Sequence, residues 1–237
     1  MPRKVHSQTE INIDIASAIA DMWKILTKEQ QETVKNCMDV QRYKKNQVIY
    51  TEGHRSQHLF CLIEGKVKIY REGVGGRTQI MRVIKPVEYF GYRAYFADEP
   101  FVTAAAAFEP STICAIPMNI ISKMVEENNK LAMFFIKLLS IDLGKSDERT
   151  VNLTQKHIRG RLAESLLFLK ETYGLEEDGA TISIFLSRED LANLSNMTTS
   201  NAIRTLSLFA SERLIATDGR KIKIIDEEAL KKISRVG

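Results

Sequence analysis

The chain has 237 residues, of which 44% are hydrophobic and 27% charged, proportions typical of a folded globular protein with a sizeable core. Its formal net charge of +4 is too small to identify a nucleic-acid partner by itself. We find no secretory leader and no apolar run near the roughly 18 residues that span a bilayer. Three widely spaced cysteines, Cys37, Cys61 and Cys114, favour thiols in a reducing compartment, so we expect a cytoplasmic protein.

The pattern of apolar and turn residues changes along the N-terminal two thirds of the chain. Residues 1–25 predict a loose tail, and Thr27 then caps a helix to about Asn36, with Gln30 in the reciprocal capping position. From there to residue 116, short apolar alternations are separated by glycine-rich turns, which predict a β sandwich or jelly roll. The strand candidates are residues 48–50, 59–63, 67–70, 79–84 and 112–116.

A long helix is predicted from Asn129 to Asn152. It carries an apolar stripe at helical spacing, formed by Leu131, Phe134, Phe135, Leu138 and Ile141. We expect the stripe to pair with a second copy of the chain, and the alternative is that it packs on the chain's own barrel. Residues 152–154 predict a hinge, followed by an amphipathic helix that starts near Ile158 and stops at Gly174.

The segment from residue 186 to 204 predicts two short helices joined by a tight turn. Ser187 is the N-cap of the first, with Asp190 three residues later in a variant of the capping box. The outward side of the second helix carries short hydrogen-bonding side chains and an Arg, as a helix in the DNA major groove does. These residues are Thr198, Thr199, Ser200, Asn201 and Arg204.

A hairpin follows the second helix. Two short apolar runs flank Asp218-Gly219, a strong hairpin signal, and the cationic Arg220 and Lys221 lie at its predicted tip. Between residues 197 and 223 there are five basic and two acidic residues. Two helices and a basic hairpin indicate a winged helix-turn-helix, whose wing contacts phosphates while its second helix contacts bases.

This order of parts resembles the Crp/Fnr family of bacterial transcription regulators. The motifs that carry the resemblance are Leu-Ile-Glu-Gly-Lys-Val at 62–67, Tyr-Phe-Gly at 89–91, Gly-Arg-Leu-Ala at 160–163 and the segment 186–215. The resemblance implies an α+β protein in four parts. These are an N-terminal tail (1–25), a cyclic-nucleotide-binding-like jelly-roll sensor domain (26–128), a dimerisation helix (129–152) and a winged helix-turn-helix DNA-binding domain (153–237).

The resemblance also implies a function without catalysis: a homodimer that binds double-stranded DNA sequence-specifically and acts on RNA polymerase. Arg204 matches a position where the family usually has a DNA-contacting Arg. Thr199 and Ser200 stand where cyclic-AMP-responsive members most often have an Arg–Glu pair. A threonine hydroxyl cannot imitate an Arg fork on guanine, so we expect a different operator, with half-sites roughly 34–36 Å apart.

The expected effector pocket lies after the Phe-Gly pair and consists of Tyr92, Arg93, Phe101, Val102 and Thr103. In cyclic-nucleotide-binding members a Glu holds the ribose, and an Arg followed by Ser or Thr holds the phosphate. Tyr92 replaces that Glu, Val102 replaces that Arg, and Thr103 alone matches. An unpaired buried phosphate costs several kcal/mol, which argues against cyclic AMP in the usual pose, although Arg82 or Arg93 could reach it from another direction.

Two interpretations of this altered pocket stay open. The aromatic and apolar side chains that follow the Phe-Gly pair either plug the old nucleotide site, which gives an effector-independent regulator, or line a pocket for an unknown apolar small molecule. They are Tyr92, Tyr95, Phe96, Phe101 and Val102.

No cofactor is predicted. The iron–sulfur branch of the family needs clustered N-terminal cysteines, and Cys37 has no cysteine near it in sequence. Haem stays open, because one His or Cys could serve as an axial ligand. Glu52, His54 and His58 have the composition of a metal-binding set. They surround Gly53, where the family has a surface loop, so we expect solvated loop residues there and no metal site.

Two other functions fit parts of the pattern. A ligand-sensing module that controls another protein would leave the winged motif idle, and the basic wing counts against it. A cupin-like metal enzyme would use Glu52, His54 and His58, but only His6 and His157 remain as further histidines. No nucleophile–base pair or phosphate loop is found.

Overall fold

The computed structural model describes residues 19–73, 76 and 78–236. Residues 1–18 of the predicted tail therefore lie outside the described residues. None of the described helices is long and apolar enough to cross a membrane. The elements are α1 (Ala20–Trp23), α2 (Lys28–Cys37), β1 (Asp39–Tyr43), β2 (Val48–Tyr50), β3 (His58–Glu64), β4 (Val67–Glu72), β5 (Thr78–Ile84), β6 (Tyr89–Phe90), α3 (Tyr92–Phe96), β7 (Ala104–Ala107), β8 (Ser111–Pro117), α4 (Met118–Glu127), α5 (Asn129–Gln155), α6 (Ile158–Tyr173), α7 (Arg188–Leu194), α8 (Thr199–Ser211), β9 (Ile215–Asp218), β10 (Lys221–Ile224) and α9 (Glu227–Val236).

Strands β1 to β8 form two four-stranded sheets, in the orders β1-β8-β3-β6 and β2-β7-β4-β5. All their pairings are antiparallel, which confirms the jelly-roll prediction and each of the five strand candidates. The sequence did not predict β7, because it is a run of four alanines, a residue with low strand propensity. Its burial between β2 and β4 makes it a strand.

The two faces of β3 are both buried, each in a different core. Phe60 and Leu62 point between the sheets, whereas Leu59 and Cys61 point toward the helices on the outer face. Successive side chains of a strand alternate between faces, so this strand has a continuous apolar sequence. At its end Gly65 adopts φ +91°, and a Cβ there would lie 2.5 Å from the carbonyl oxygen of Pro110.

Helices α1, α2, α4 and α5 cover this outer face. Thr27 Oγ1 accepts a hydrogen bond from the Gln30 backbone amide (3.2 Å) and the Gln30 side chain accepts one from the Thr27 amide (3.1 Å), which confirms the predicted capping box. Ile19 and Met22 are fully buried in the same core. Residues 19–22 therefore pack on the N-terminal domain, within the segment that the sequence assigned to a tail.

The apolar stripe of α5 faces the chain's own barrel. Leu131 and Phe135 are buried, and Phe134 and Leu138 pack against the same core. This corrects the expectation that Leu131 and Phe135 contact a second copy, because their side chains are already covered within their own subunit. Ile141, in contrast, is exposed. A different set of large apolar side chains on α5 points to solvent: Met133, Ile136, Leu143 and Val151.

The break after the long helix lies later than predicted. Residues 152–154 are helical, and the chain leaves the helix at Lys156, the C-cap of α5, and His157, the N-cap of α6. Helix α6 ends at Gly174, as predicted, with φ +74°. Its apolar side forms the core of the C-terminal domain with α7, α8, α9 and the β9–β10 hairpin.

The buried phenyl of Phe135 gives a direct test of the α5 packing. Phe135→Ala is expected to lower the free energy of unfolding by about 3–5 kcal/mol, because it leaves a cavity in the sensor core. Phe168→Ala is the matched control, since that ring is 40% exposed on α6, and it should cost about 1 kcal/mol or less. Urea unfolding followed by circular dichroism measures both, and equal losses would contradict this packing.

Candidate nucleic-acid interface

Helices α7 and α8 both have side-chain N-caps, at Ser187 as the sequence predicts and at Thr198, which the sequence predicts as the start of the second helix without a cap. Thr198 Oγ1 accepts a hydrogen bond from the Asn201 backbone amide at 3.2 Å. Ser187 Oγ accepts one from the Asp190 amide at 3.0 Å and donates one to Asp190 Oδ2 at 2.7 Å. These caps satisfy backbone amides at the helix N-termini and fix where α8 begins.

Helix α8 has one buried and one exposed side. Ala202, Leu206 and Phe209 are buried in the domain core. The predicted Thr199, Ser200 and Arg204 are exposed. The sequence analysis missed two exposed apolar side chains on the same helix, Ile203 and Leu208, which are 48% and 43% exposed. Their position in the helical period is the signal that could have identified them.

The outward side chains of α8 differ in how free they are to contact a ligand. The Asn201 Oδ1 atom accepts a hydrogen bond of 2.8 Å from Arg204 Nη2, so Asn201 orients the guanidinium. Thr198 uses its hydroxyl to cap the helix. Both therefore have a role in positioning, and Thr199, Ser200 and Arg204 present their polar groups to solvent.

The C-terminal end of α8 is held by an ion pair that no local motif predicts. Arg159 on α6 donates two hydrogen bonds to the carboxylate of Glu212, at 2.9 and 2.7 Å. Hydrogen bonding from Arg159 lowers the pKa of Glu212. The same guanidinium lies 5.2 Å from the ring centroid of Phe209. The planar fork of an Arg suits such a two-point contact, which fixes the angle between α6 and α8.

The wing has the predicted hairpin with its turn shifted by one residue. Asp218 pairs with Lys221, so the two turn residues are Gly219 and Arg220. Gly219 has φ +52°, as the first turn position of a type II′ hairpin requires. Arg188 Nη2 donates a hydrogen bond of 2.7 Å to the Gly219 carbonyl. The wing tip is therefore tied to the start of α7, and Arg220 and Lys221 are exposed on it.

The C-terminal domain docks on the jelly-roll domain through α7. Lys68 Nζ on β4 contacts Asp190 Oδ1 at 2.8 Å, with side chains only 17% and 22% exposed. Ile80 and Phe108 of the sensor domain belong to the same apolar cluster as the core of the DNA-binding domain. Beside this contact lies a cleft of about 510 Å³ between the two domains, and Arg220 of the wing lines it.

A guanidinium on the long helix joins both domains. Arg149 donates hydrogen bonds to the carbonyl oxygens of Ile80, of Met81 (2.5 Å) and of Leu194 (3.3 Å). The first two lie on β5 of the sensor domain, and Leu194 ends α7. Burial lowers the pKa of Arg149, which stays far above neutrality. A fixed positive charge therefore lies where three elements meet.

In the predicted effector pocket, Tyr92 faces the long helix. Tyr92 is 2% exposed, and its hydroxyl donates a hydrogen bond of 3.0 Å to Asp142 Oδ2 on α5. Arg82 on β5 pairs with the same carboxylate oxygen. Burial, and then the Asp142 charge, raise the pKa of Tyr92, so the phenol remains a neutral donor. This group connects the sensor domain to α5.

The other four pocket residues have different surroundings. Arg93 is exposed and lies 3.6 Å from Glu99, and Val102 is 40% exposed. Phe101 is buried, with its ring centroid 3.9 Å from that of Tyr50, and the Thr103 side chain is hydrogen-bonded to Tyr50. Burial raises the pKa of Tyr50 to about 12. The structure brings Phe101 and Thr103 together through Tyr50, and Tyr92 contacts α5 instead.

Aromatic rings fill the space beside Tyr50 between the two sheets. Its ring centroid lies 6.0 Å from that of Phe60 and 6.4 Å from that of Phe90, and those two are 5.2 Å apart. The sequence does not place these three residues in the pocket, because Tyr50 and Phe60 lie on strands far from the Phe-Gly segment in sequence and Phe90, the Phe of that pair, precedes the residues that carry the family's ligand contacts.

The Glu52, His54 and His58 set does not form a metal centre. His54 Nδ1 lies 3.0 Å from Thr51 Oγ1, and Glu52 pairs with Arg71 at 3.4 Å. The His58 ring lies against Phe60, with centroids 6.0 Å apart. Across residues 19–73, 76 and 78–236, no group of three or more His, Cys, Asp or Glu side chains could hold a metal ion.

Two family models match the chain, one on each domain. Residues 40–128 match the cyclic nucleotide-binding domain, and residues 160–233 match the Crp-like helix-turn-helix domain. The first match ends directly before α5, and the second begins after it, within α6. Together they cover the jelly roll and the winged motif.

Several known regulators are similar over most of the chain. The CRP-like cAMP-activated global transcriptional regulator of Mycobacterium tuberculosis is 23% identical over 194 residues, covering 81% of this chain and 87% of that protein. The anaerobic regulatory protein of Bacillus subtilis is 23% identical over 196 residues, covering 82% of each. The structure of FixK2 from Bradyrhizobium japonicum has a TM-score of 0.74 at 20% identity, covering 83% of this chain and 96% of that one.

Proposed function

Because the chain belongs to the Crp/Fnr family of transcription regulators, we propose that it binds operator DNA as a homodimer, with α8 as its recognition helix and the β9–β10 hairpin on the DNA backbone. The observation that carries this proposal is the outward side of α8. There Thr199, Ser200 and Arg204 are exposed beside one another, and Arg204 is oriented by Asn201.

The geometry of α8 suits the major groove. Thr199, Ser200 and Arg204 lie in its N-terminal half, and recognition helices contact base edges with their N-terminal residues. An Arg fork suits the O6 and N7 acceptors of guanine, and the hydroxyls suit several bases. We therefore assign base contacts to these three residues and assign Thr198 and Asn201 to the positioning of the helix and of Arg204.

The wing supplies contacts that do not depend on sequence. Lys221 and Arg220 are exposed at the hairpin tip, and Lys223 faces the same solvent, paired with Asp178 at 3.3 Å. Cationic side chains on a hairpin beside the recognition helix bind phosphates and set the orientation of the domain on the duplex.

The exposed side of α5 supports the proposal of a homodimer. Met133 is 61% exposed and Leu143 64% exposed, with Ile136 and Val151 close to the same line on the helix. Such an apolar stripe along a helix of 27 residues is costly to leave in water. A second copy of α5 with the same stripe would cover it symmetrically. The partner-facing residues are then Met133, Ile136, Leu143 and Val151, with Ile141 beside them.

For the sensor domain we propose that cyclic AMP does not bind in the pose that the family uses. Val102 stands at the position of the phosphate-binding Arg, and the nearby Arg93 points to solvent and pairs with Glu99. Tyr92 stands at the position of the ribose-binding Glu, and its hydroxyl donates a hydrogen bond to Asp142. The aromatic rings beside Tyr50 support the plug interpretation over an apolar ligand.

The remaining assignments follow from the family. We propose that the protein acts in the cytoplasm, where the DNA is, that it recruits or blocks RNA polymerase, and that it has no catalytic activity. Helix-turn-helix domains placed beside a promoter act through such contacts, and the described side chains at the interface bind and position without offering a nucleophile and base in contact.

Replacing Arg204 and Lys221 separates base recognition from phosphate binding. Arg204→Ala should weaken binding to the operator by about 1–3 kcal/mol and leave binding to random DNA nearly unchanged. Lys221→Ala should weaken binding to every sequence alike. It should also reduce the slope of log K against log salt concentration by about 1, the value expected for the loss of one phosphate contact. Fluorescence anisotropy over a salt series measures both. An equal loss on all DNA for Arg204→Ala would show that α8 is not the recognition helix.

A charge on the exposed side of α5 tests the dimer. Leu143→Glu should convert the dimer to monomers, because it places a carboxylate in an apolar contact, and should abolish operator binding. Lys145→Glu introduces the same side chain two residues on, about 200° around the helix, and should leave the dimer intact. Analytical ultracentrifugation gives the mass. A Leu143→Glu protein that stays dimeric would place the interface elsewhere.

Thermal unfolding with cyclic AMP tests the sensor proposal. The melting temperature should not change with cyclic AMP at about 1 mM. At that concentration a ligand with a Kd of about 10 μM is present at about 100 times its Kd and stabilises the folded protein by about 2.7 kcal/mol. That stabilisation would raise Tm by roughly 5–10 °C in a chain of this size. AMP is the control ligand, and a rise with cyclic AMP alone would overturn the proposal.

A further inference from the structure

Ile203 lies on the outward side of α8, near its border with the buried side, and is 48% exposed. Residues four apart on a helix are neighbours on its surface, so Thr199, Ile203 and Ser207 form one row, and Ser200, Arg204 and Leu208 form the next. Thr199, Ser200, Arg204 and Ser207 are exposed polar residues. Ile203 is therefore an apolar side chain whose outward neighbours, Thr199, Ser200 and Ser207, suit hydrogen bonding to bases.

The fold itself does not account for an isoleucine at this position. The core side of α8 is complete without it, since Ala202, Leu206 and Phe209 are between 0% and 3% exposed. A β-branched residue is a weaker helix former than alanine or the long polar residues. Nearly half of the Ile203 side chain is open to solvent and isoleucine lowers helix propensity there, so its exposed part is free to contact what the helix binds.

We propose that Ile203 is a specificity-determining residue that packs against the 5-methyl group of a thymine in each operator half-site. This inference rests on the proposed function of α8 as the recognition helix. The thymine methyl is the apolar group that base pairs present in the major groove, alongside hydrogen-bond donors and acceptors. The side chain of Ile203 offers methyl and methylene carbons and no polar atom, so the thymine methyl is the group that it can contact favourably.

The neighbouring Arg204 fixes where this thymine lies. Ile203 and Arg204 are consecutive, so they are about 100° apart around the helix and about 1.5 Å apart along it. The Asn201 contact of 2.8 Å holds the guanidinium on the same outward side. Base pairs are stacked about 3.4 Å apart, so the thymine lies within one or two base pairs of the guanine that Arg204 contacts.

Deoxyuridine substitution tests the contact, because deoxyuridine differs from thymidine by the 5-methyl group alone. The operator is first selected from random DNA with the full-length protein, and each thymine is then replaced singly by deoxyuridine. With the unmodified protein, one thymine per half-site should show a three- to tenfold loss of affinity, the size expected for burying one methyl group. Ile203→Ala should bind the thymidine and deoxyuridine operators equally at that position.

Leu208→Ala is the matched control. Leu208 is 43% exposed on the same helix, but lies more than a turn further from the N-terminus, so its loss should leave the deoxyuridine effect unchanged. Circular dichroism melting should show both variants as stable as the parent, because neither side chain is in the core.

The outcomes separate this inference from the proposed function. Specific operator binding with no deoxyuridine effect at any thymine, or a full effect retained in Ile203→Ala, would overturn the role of Ile203 and leave the recognition helix assigned. A folded protein that shows no sequence preference at all would overturn both.

Discussion

The guanidinium of Arg149 is the interaction on which the arrangement of the two domains depends. It lies on the long helix and bonds the carbonyls of Ile80 and Met81 in the sensor domain and of Leu194 in the DNA-binding domain. Separating this largely covered guanidinium from its acceptors would leave its Nη1 and Nη2 donors unpaired, which is costly, so the contact favours an arrangement in which the three carbonyls stay together. Any sensor movement that displaces β5 therefore acts directly on α7 and on α5.

The contacts around α7 extend this connection to the DNA-binding surface. Asp190 binds both the N-cap Ser187 and Lys68 of the sensor domain, while Arg188, two residues before it, holds the wing tip through the Gly219 carbonyl. One short helix thus contacts the sensor at one side and the wing at the other. The position of the wing relative to α8 follows the docking of the domains.

Local sequence signals predicted the parts of the fold whose causes are local. The predicted caps at Thr27 and Ser187 depend on residues three apart, and the structure confirms both. The α5 seam was misassigned because the helix has two apolar sides. Periodicity identifies a stripe such as that of Phe135, but does not tell whether a barrel or a second copy covers it. Pairs distant in sequence, such as Lys68 with Asp190, leave no local pattern at all.

The same distinction applies to the candidate sites. The exposed polar side of α8 was predictable because helical period alone decides it. The surroundings of Tyr92 and Phe101 were not, since they depend on Asp142 of α5 and on Tyr50 of β2, and neither belongs to the segment that carries the family motif.

The acceptors of Arg149 have a consequence for how such a regulator can diverge. All three are main-chain oxygens, which every amino acid supplies. Substitutions at residues 80, 81 and 194 that keep the backbone path therefore leave the linkage between sensor and DNA-binding domain intact. The interior of the jelly roll can therefore change by mutation without altering the contact through which Arg149 joins the two domains.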